Sequence, residues 1–303
     1  MKSPSRQSTA RGFTLVELMI SITLGVLILG AVISVFVGTK RAFRTQESTS
    51  EVQEGGRFLS YLMHPYIRLA GSLGQPENIS PAEYLDVFRR PDETAITRAS
   101  GNDPNTAADL LRPIWGVDNA GAAVAGITPK AGTDVLIARY LGRNQIGTAG
   151  NSDGVINTCL GLPDAGDPSA NGLRFQDMAE VTFFLNLDTP SSLSCRARIF
   201  TRPAAAARWT NGPQPLIAGV DDLQFLYGVD TNGNFVANQF FTANNVPNWQ
   251  QVVSVKMIAR LVGTQTTEGS DTADPGNELK GVEDRRLFSE FSSTIQLRNR
   301  ARP

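Results

Sequence analysis

Few side chains in this sequence are both chemically versatile and distinctively placed. Glu17 is the single formal charge between Phe13 and Val37, in a run of Leu, Ile, Val and Phe. A carboxylate so near the start of an apolar helix can reach the headgroups and is favoured by the positive helix N-terminus, though its burial still carries a cost. Cys159 and Cys195 fit one disulfide if the globular part is exported, or two inert thiols if it is cytosolic. Asp230, Asn232 and Asn234 in VDTNGNFV echo the alternating oxygen ligands of a calcium loop. Gly233 is out of place for an EF-hand and the distal Glu is missing, so a hairpin turn at Asn232-Gly233 is the better reading.

Other constellations exclude more than they suggest. The only histidine, His64, is followed by Pro65, and there is no Cys/His metal cluster and no G-x-x-x-x-G-K-[ST] loop. The acid pairs Asp221-Asp222 and Glu283-Asp284 are adjacent, so on strands they would point to opposite faces. No cofactor and no metal are expected. A net charge of −1 with 19% charged residues does not suggest a nucleic-acid partner. A membrane-tethered periplasmic enzyme stays open as an alternative if carboxylates from distant segments converge; it predicts activity in an isolated head.

The elements that position these residues begin with the apolar run. A helix over 13 to 37 would be roughly 37 Å long, enough to cross the hydrocarbon of a bilayer with some tilt. Lys2, Arg6 and Arg11 precede it, and Lys40, Arg41 and Arg44 follow. With cations at both ends, charge alone does not set its orientation. A secretory signal would have a shorter apolar centre and an A-x-A-like cleavage site, and neither is found. Beyond Lys40, Val52, Leu59, Leu62, Met63, Tyr66 and Leu69 recur near three-four spacing, the pattern of an amphipathic helix ending near residue 70. Gly55, Gly56 and Pro65 predict a kink or an early stop.

Arg11-Gly12-Phe13-Thr14-Leu15-Val16-Glu17, at the head of that helix, resembles the processing site of type IV prepilins. The resemblance implies a leader peptide over 1–12, cleavage by prepilin peptidase between Gly12 and Phe13 on the cytoplasmic side, and N-methylation of Phe13. It implies a stalk helix over 13–70, transmembrane over 13–37, and a periplasmic head over 71–303. It also gives Glu17 a role in subunit assembly, neutralising the N-terminal ammonium of a neighbouring subunit. Major pilins usually carry a proline midway along the apolar half, and Ser34 occupies that place here.

After residue 70 the sequence turns to short β-like runs: 134–141, 181–187, 196–201, 223–227, 252–262 and 287–297. Leu223, Phe225 and Tyr227 alternate, as do Val253, Val255, Met257, Ala259 and Leu261. The expected fold class is α+β and pilin-like, a long N-terminal helix packed against an antiparallel sheet. The stretches around 100–130, 145–173 and 263–281 read as surface loops.

GVDDLQFLYGVDTNGN, VVSVKMIARLV and STIQLRNR resemble blocks of PilW-type minor pilins. That family implies a role in type IV pilus assembly, priming or tip-complex formation, in the inner membrane with a periplasmic head and then in the pilus. Its implied partners are other minor pilins, the major pilin, the inner-membrane assembly platform and prepilin peptidase, with membrane lipid around the helix before assembly. With the head in the periplasm, the Cys159–Cys195 disulfide is the expected state. A minor pseudopilin of a type II secretion system shares the leader and helix and is the nearest alternative.

Overall fold

The computed structural model of the chain describes residues 14–72, 113–120, 127–145, 151–161, 171–174, 177–187, 191–201, 209–266 and 286–297. Residues 1–13, with the expected leader and both residues of the expected cleavage bond, lie outside them, as does the Glu283-Asp284 pair.

One helix, α1 (Leu15–Leu69), runs without interruption through Gly55, Gly56 and Pro65. The expected early stop is absent, for reasons visible in the packing. Ser48, Val52, Gly56, Leu59, Met63 and Ile67 form its buried stripe, while Pro65 is exposed, so the carbonyl it leaves unbonded is on the solvent side. The glycines are contact points. A Cβ at Gly56 would collide with the Phe291 ring, and one at Gly55 would lie 2.7 Å from Leu261 Cδ2. Helix and sheet approach closely because these side chains are missing.

Among the described residues the head contains two antiparallel sheets rather than one. The first has the order β1 (Ile114–Ala120), β2 (Thr133–Leu141), β3 (Asp177–Leu185), β4 (Ser192–Thr201), β5 (Trp209–Ala218). The second has the order β7 (Gln239–Phe241), β6 (Val220–Val229), β8 (Val252–Thr266), β9 (Arg286–Gln296). β6 lies against the first sheet, and α1 lies along β8 and β9 and reaches β2. One core joins all three layers, from Leu59, Met63 and Ile67 through Leu136, Tyr140 and Phe183 to Phe225, Tyr227 and Met257.

Several expected loops hold strands. β1 and β5 were not expected, and β8 extends to Thr266, into the stretch read as a loop from 263. β3 begins at Asp177 because its charges are answered across the sheet. Arg139, Glu180 and Arg198 stand directly opposite one another on β2, β3 and β4, and Glu180 accepts from Arg139 Nε and Arg198 Nε at 3.0 Å each. A buried acid held between two guanidinium groups is tolerated where an unpaired one is not.

The turn at Asn232-Gly233 also needs correction. β6 and β7 do form a hairpin, but residues 230–238 make a longer connection. Asp230 organises it. Its Oδ1 accepts from the N–H of Asn232, Gly233 and Asn234 (3.1, 2.7 and 3.3 Å), and its Oδ2 from Phe235 at 2.7 Å. Burial by itself would raise the pKa, but these backbone donors outweigh it and hold the carboxyl below the usual range. Asn232 Oδ1 and Asn234 Oδ1 likewise accept from Asn234 and Val236.

Candidate assembly surface

At the start of α1, Thr14 is the N-cap, and its Oγ1 accepts from Glu17 N–H at 3.3 Å. That fixes Glu17 in the first turn, where the positive end of the helix dipole favours a carboxylate. The side chain is exposed, as is nearly every residue from Leu15 to Val37. In water such a surface would be untenable; in lipid or among similar helices it is the required one. Among the described residues α1 is the helix long and apolar enough to cross a membrane.

The hydroxyls in this half do not spoil it. Ser21 donates to Glu17 O at 2.7 Å, Thr23 to Ile20 O at 2.9 Å, Ser34 to Ala31 O at 2.8 Å and Thr39 to Val35 O at 2.9 Å. Each of these hydroxyls is satisfied within the helix, so none of them faces outward with an unbonded hydrogen. Ser34, where a proline was the usual expectation, keeps the helix continuous instead.

The C-terminal half of α1 and the residues just after it are fastened to the head by several contacts. His64 Nε2 lies 2.8 Å from Ser293 Oγ on β9; burial first, and then the Arg68 charge, lower the imidazole pKa. The Tyr66 hydroxyl donates to Thr158 O at 3.1 Å, and its ring packs against Tyr140 at 6.3 Å and Phe183 at 6.0 Å between centroids. Gly71 N–H donates to Arg139 O at 2.9 Å. Thr158 is itself held, because a disulfide joins Cys159 to Cys195 on β4, with Cα atoms 6.5 Å apart. The thiols read as a pair from the sequence thus tie the loop under the helix to the central sheet.

A group with no sequence signal links the two sheets. The Asp134 carboxylate on β2 accepts from Asn119 N–H at 3.0 Å and from Phe225 N–H on β6 at 2.8 Å. Burial, against those two donors, raises its pKa to about 6, with Asp118 and Asp222 adding to the rise. The buried Tyr227 hydroxyl sits at the same seam, against Gly116, and has no hydrogen-bond partner among the described residues. Burial and then the charges of Asp134 and Asp118 push its pKa up. The acid pair on β6 separates as strand geometry requires. Asp221 takes Lys130 and Arg260 at 2.8 and 2.7 Å, while Asp222 accepts from Leu223 N–H and Gln224 Nε2.

The one hydroxyl–imidazole pair described above, Ser293 with His64, lies in the seam between β9 and α1. Among the described residues no three His, Cys, Asp or Glu side chains are grouped to hold a metal. What the molecule offers is a lipid-compatible rod bearing one acid, and a head fastened to its far half.

Comparison with known families agrees with that division. Residues 7–33 match the prokaryotic N-terminal methylation motif, and residues 186–299, which run from the end of β3 through β9, match type IV pilus-assembly protein W. The two matches support a PilW-like type IV pilin. They indicate a type IV pilus minor pilin, and the apolar half of α1 fits a single-pass inner-membrane anchor with a periplasmic head. Among solved structures it is similar to a type IV-like pilin from Thermus thermophilus, at 16% identity, over 56% of this chain and 80% of that one, with a TM-score of 0.29. No curated protein matches it.

Proposed function

We propose that this pilin is made as a prepilin, cut between Gly12 and Phe13, methylated on the Phe13 amine, and built into the priming or tip complex of the pilus. Its role there is structural, not enzymatic. The supporting observation is the apolar surface of α1 with Glu17 alone in its first turn. A carboxylate near the end of a membrane helix costs less than the roughly 3 kcal/mol of one at the centre, but the cost still needs an offset. The amine of a neighbouring subunit supplies it, turning an unpaired acid into a paired one when the helices leave lipid and pack together. Loss of either partner of a desolvated pair costs about 3 to 5 kcal/mol, so the pair also sets the register between subunits. The partners under this reading are other minor pilins, the major pilin and the inner-membrane assembly platform, with prepilin peptidase acting first.

The test is Glu17→Ala in the full-length chain. Membrane insertion and cleavage are expected to be normal, as judged by mass spectrometry of the mature N-terminus, while incorporation into surface pili falls. Normal incorporation, or a mature protein that keeps residues 1–12, overturns the reading. Deleting the gene is expected to abolish pili; loss of exoprotein secretion instead would reassign the chain to a secretion pseudopilus.

A further inference from the structure

Four strand edges bound the two sheets, and three are closed to further pairing. β1 is broken by a register shift between Val117 and Ala120, with Asn119 at φ 48°. β5 carries Pro213 and Pro215 and slips register twice against β4. β7 is 3 residues long. Bulges, prolines and shortness are the usual devices that keep an edge from recruiting another chain. β9 has no proline and is long, and the one register shift of its ladder, between Val262 and Thr266, lies at its Arg286 end. Its 11 residues, RLFSEFSSTIQ, contain no Pro, Gly or Lys and hold a continuous register with β8 from Phe288 to Gln296.

The ladder fixes which way its backbone points. Leu297 N–H donates to Val253 O at 2.9 Å. By alternation, Ile295, Ser293, Phe291 and Ser289 turn their N–H and C=O toward β8, whereas Phe288, Glu290, Ser292, Thr294 and Gln296 turn theirs outward. Among the described residues nothing pairs with that outer row. The side chains of the same five residues are exposed.

α1 forms a wall beside this edge. His64 touches Ser293 and Gly56 touches Phe291, so the flank of α1 next to β9 carries Arg57, Ser60 and His64 at i, i+3 and i+7. Arg57 is exposed on this flank, and Glu290 is exposed on the other face of the strand. A strand added to β9 would run between them.

We infer that β9 is a docking edge for an antiparallel strand from the head of a different pilin, acidic where its side chain faces Arg57 and basic where it faces Glu290. Strand polarity selects that occupant over a second copy. Subunits anchored by N-terminal helices in one membrane or fibre stand with parallel axes, so a second copy's β9 would run in the same direction as the first. The strand of opposite sense at the other edge of that sheet, β7, offers only 3 residues. The strand that fits is longer, runs toward the membrane, and belongs to another subunit. This rests on the pilin reading for the parallel alignment.

The test places a photo-crosslinking residue at Thr294 of the full-length chain, co-expressed with the other pilin subunits of its system. The crosslinked peptide is expected to map to an edge strand of another pilin's head. Ser292→Pro removes an outward N–H that β8 does not use, and is expected to lower the yield at least tenfold with the melting temperature unchanged. Arg57→Glu, a surface change that leaves the ladder untouched, is expected to lower it several-fold. Crosslinks to a second copy alone, no crosslink, or yields unaffected by both substitutions overturn the inference. If Glu17→Ala abolishes assembly while Ser292→Pro and Arg57→Glu crosslink normally, the docking edge fails and the pilin reading stands.

Discussion

The carboxylate of Asp134 and the backbone N–H of Phe225, 2.8 Å apart, join the two sheets of the head through one buried acid. β7 pairs with β6 only from Tyr227 to Val229, so the N–H of Phe225 lies on a stretch of β6 edge that no strand covers. Asp134 takes the place of the missing strand.

The pH dependence of the head follows from that acid. Its pKa is raised from 3.8 to about 6, so its contribution to stability is complete below the lower value and is lost as pH rises through about 6. The difference corresponds to about 3 kcal/mol. Denaturant unfolding at pH 5 and pH 7.5 is expected to show the wild type weaker at the higher pH, and Asp134→Asn is expected to flatten that slope.

His64 acts on the other side. Its pKa is lowered by burial and by Arg68, so its contribution is present above the ordinary histidine value of 6.5 and is lost as pH falls through the folded value. His64→Gln, which can still bond Ser293, is expected to remove this acid-side loss. An unchanged acid limb in the melting curve would place the titrating group elsewhere.

Gly56→Ala separates helix propensity from packing. Alanine gains about 1 kcal/mol in a helix interior, but at Gly56 its methyl collides with the Phe291 ring, and overpacking costs about 1 to 3 kcal/mol. Net destabilisation is expected, relieved in Gly56→Ala/Phe291→Ala. Gly38→Ala, with nothing within 4 Å of the new methyl, is expected to leave the head's melting temperature unchanged.

The disulfide closes a sequence separation of 36, for which chain entropy predicts about 3 to 4 kcal/mol. Cys159→Ser/Cys195→Ser is expected to lose that much, and dithiothreitol to lower the melting temperature of the wild type but not of the double variant. Faster proteolysis within 151–161 is expected too, since hydrogen bonds such as those of Tyr66 to Thr158 and Tyr140 to Asn157 then hold the loop without a covalent tie.

Calcium is expected to leave the melting temperature unchanged. The Asp230, Asn232 and Asn234 oxygens that echo a metal loop already accept backbone N–H groups of residues 232–236. A saturable rise on titration would show that the loop reorganises around the ion.

The helix and the strands of the second sheet were legible because burial imposes a period on them. Leu223, Phe225 and Tyr227, and Val253 to Leu261, alternate as one buried face requires. The unexpected strands carry edge chemistry that imitates a turn: Asn, Gly and two prolines in β5, and Gly, Asp and Asn in β1. β3 was read short because Asp177 and Glu180 break an apolar run, and the arginines that answer Glu180 come from β2 and β4. The same blindness hid Asp134, whose partners are backbone groups on β1 and β6. Gly55 and Gly56 looked like helix breakers because local propensity contains no knowledge of Leu261 and Phe291.

The seating of α1 on β8 and β9 decides how a pull on the molecule is borne. The helix lies lengthwise beside both strands, with Gly55 and Gly56 meshed against Leu261 and Phe291. Tension along the rod therefore loads the hydrogen-bonded rows in shear, where many bonds must fail together, instead of peeling them open one by one. A subunit drawn along its helix axis would be gripped along its strongest direction.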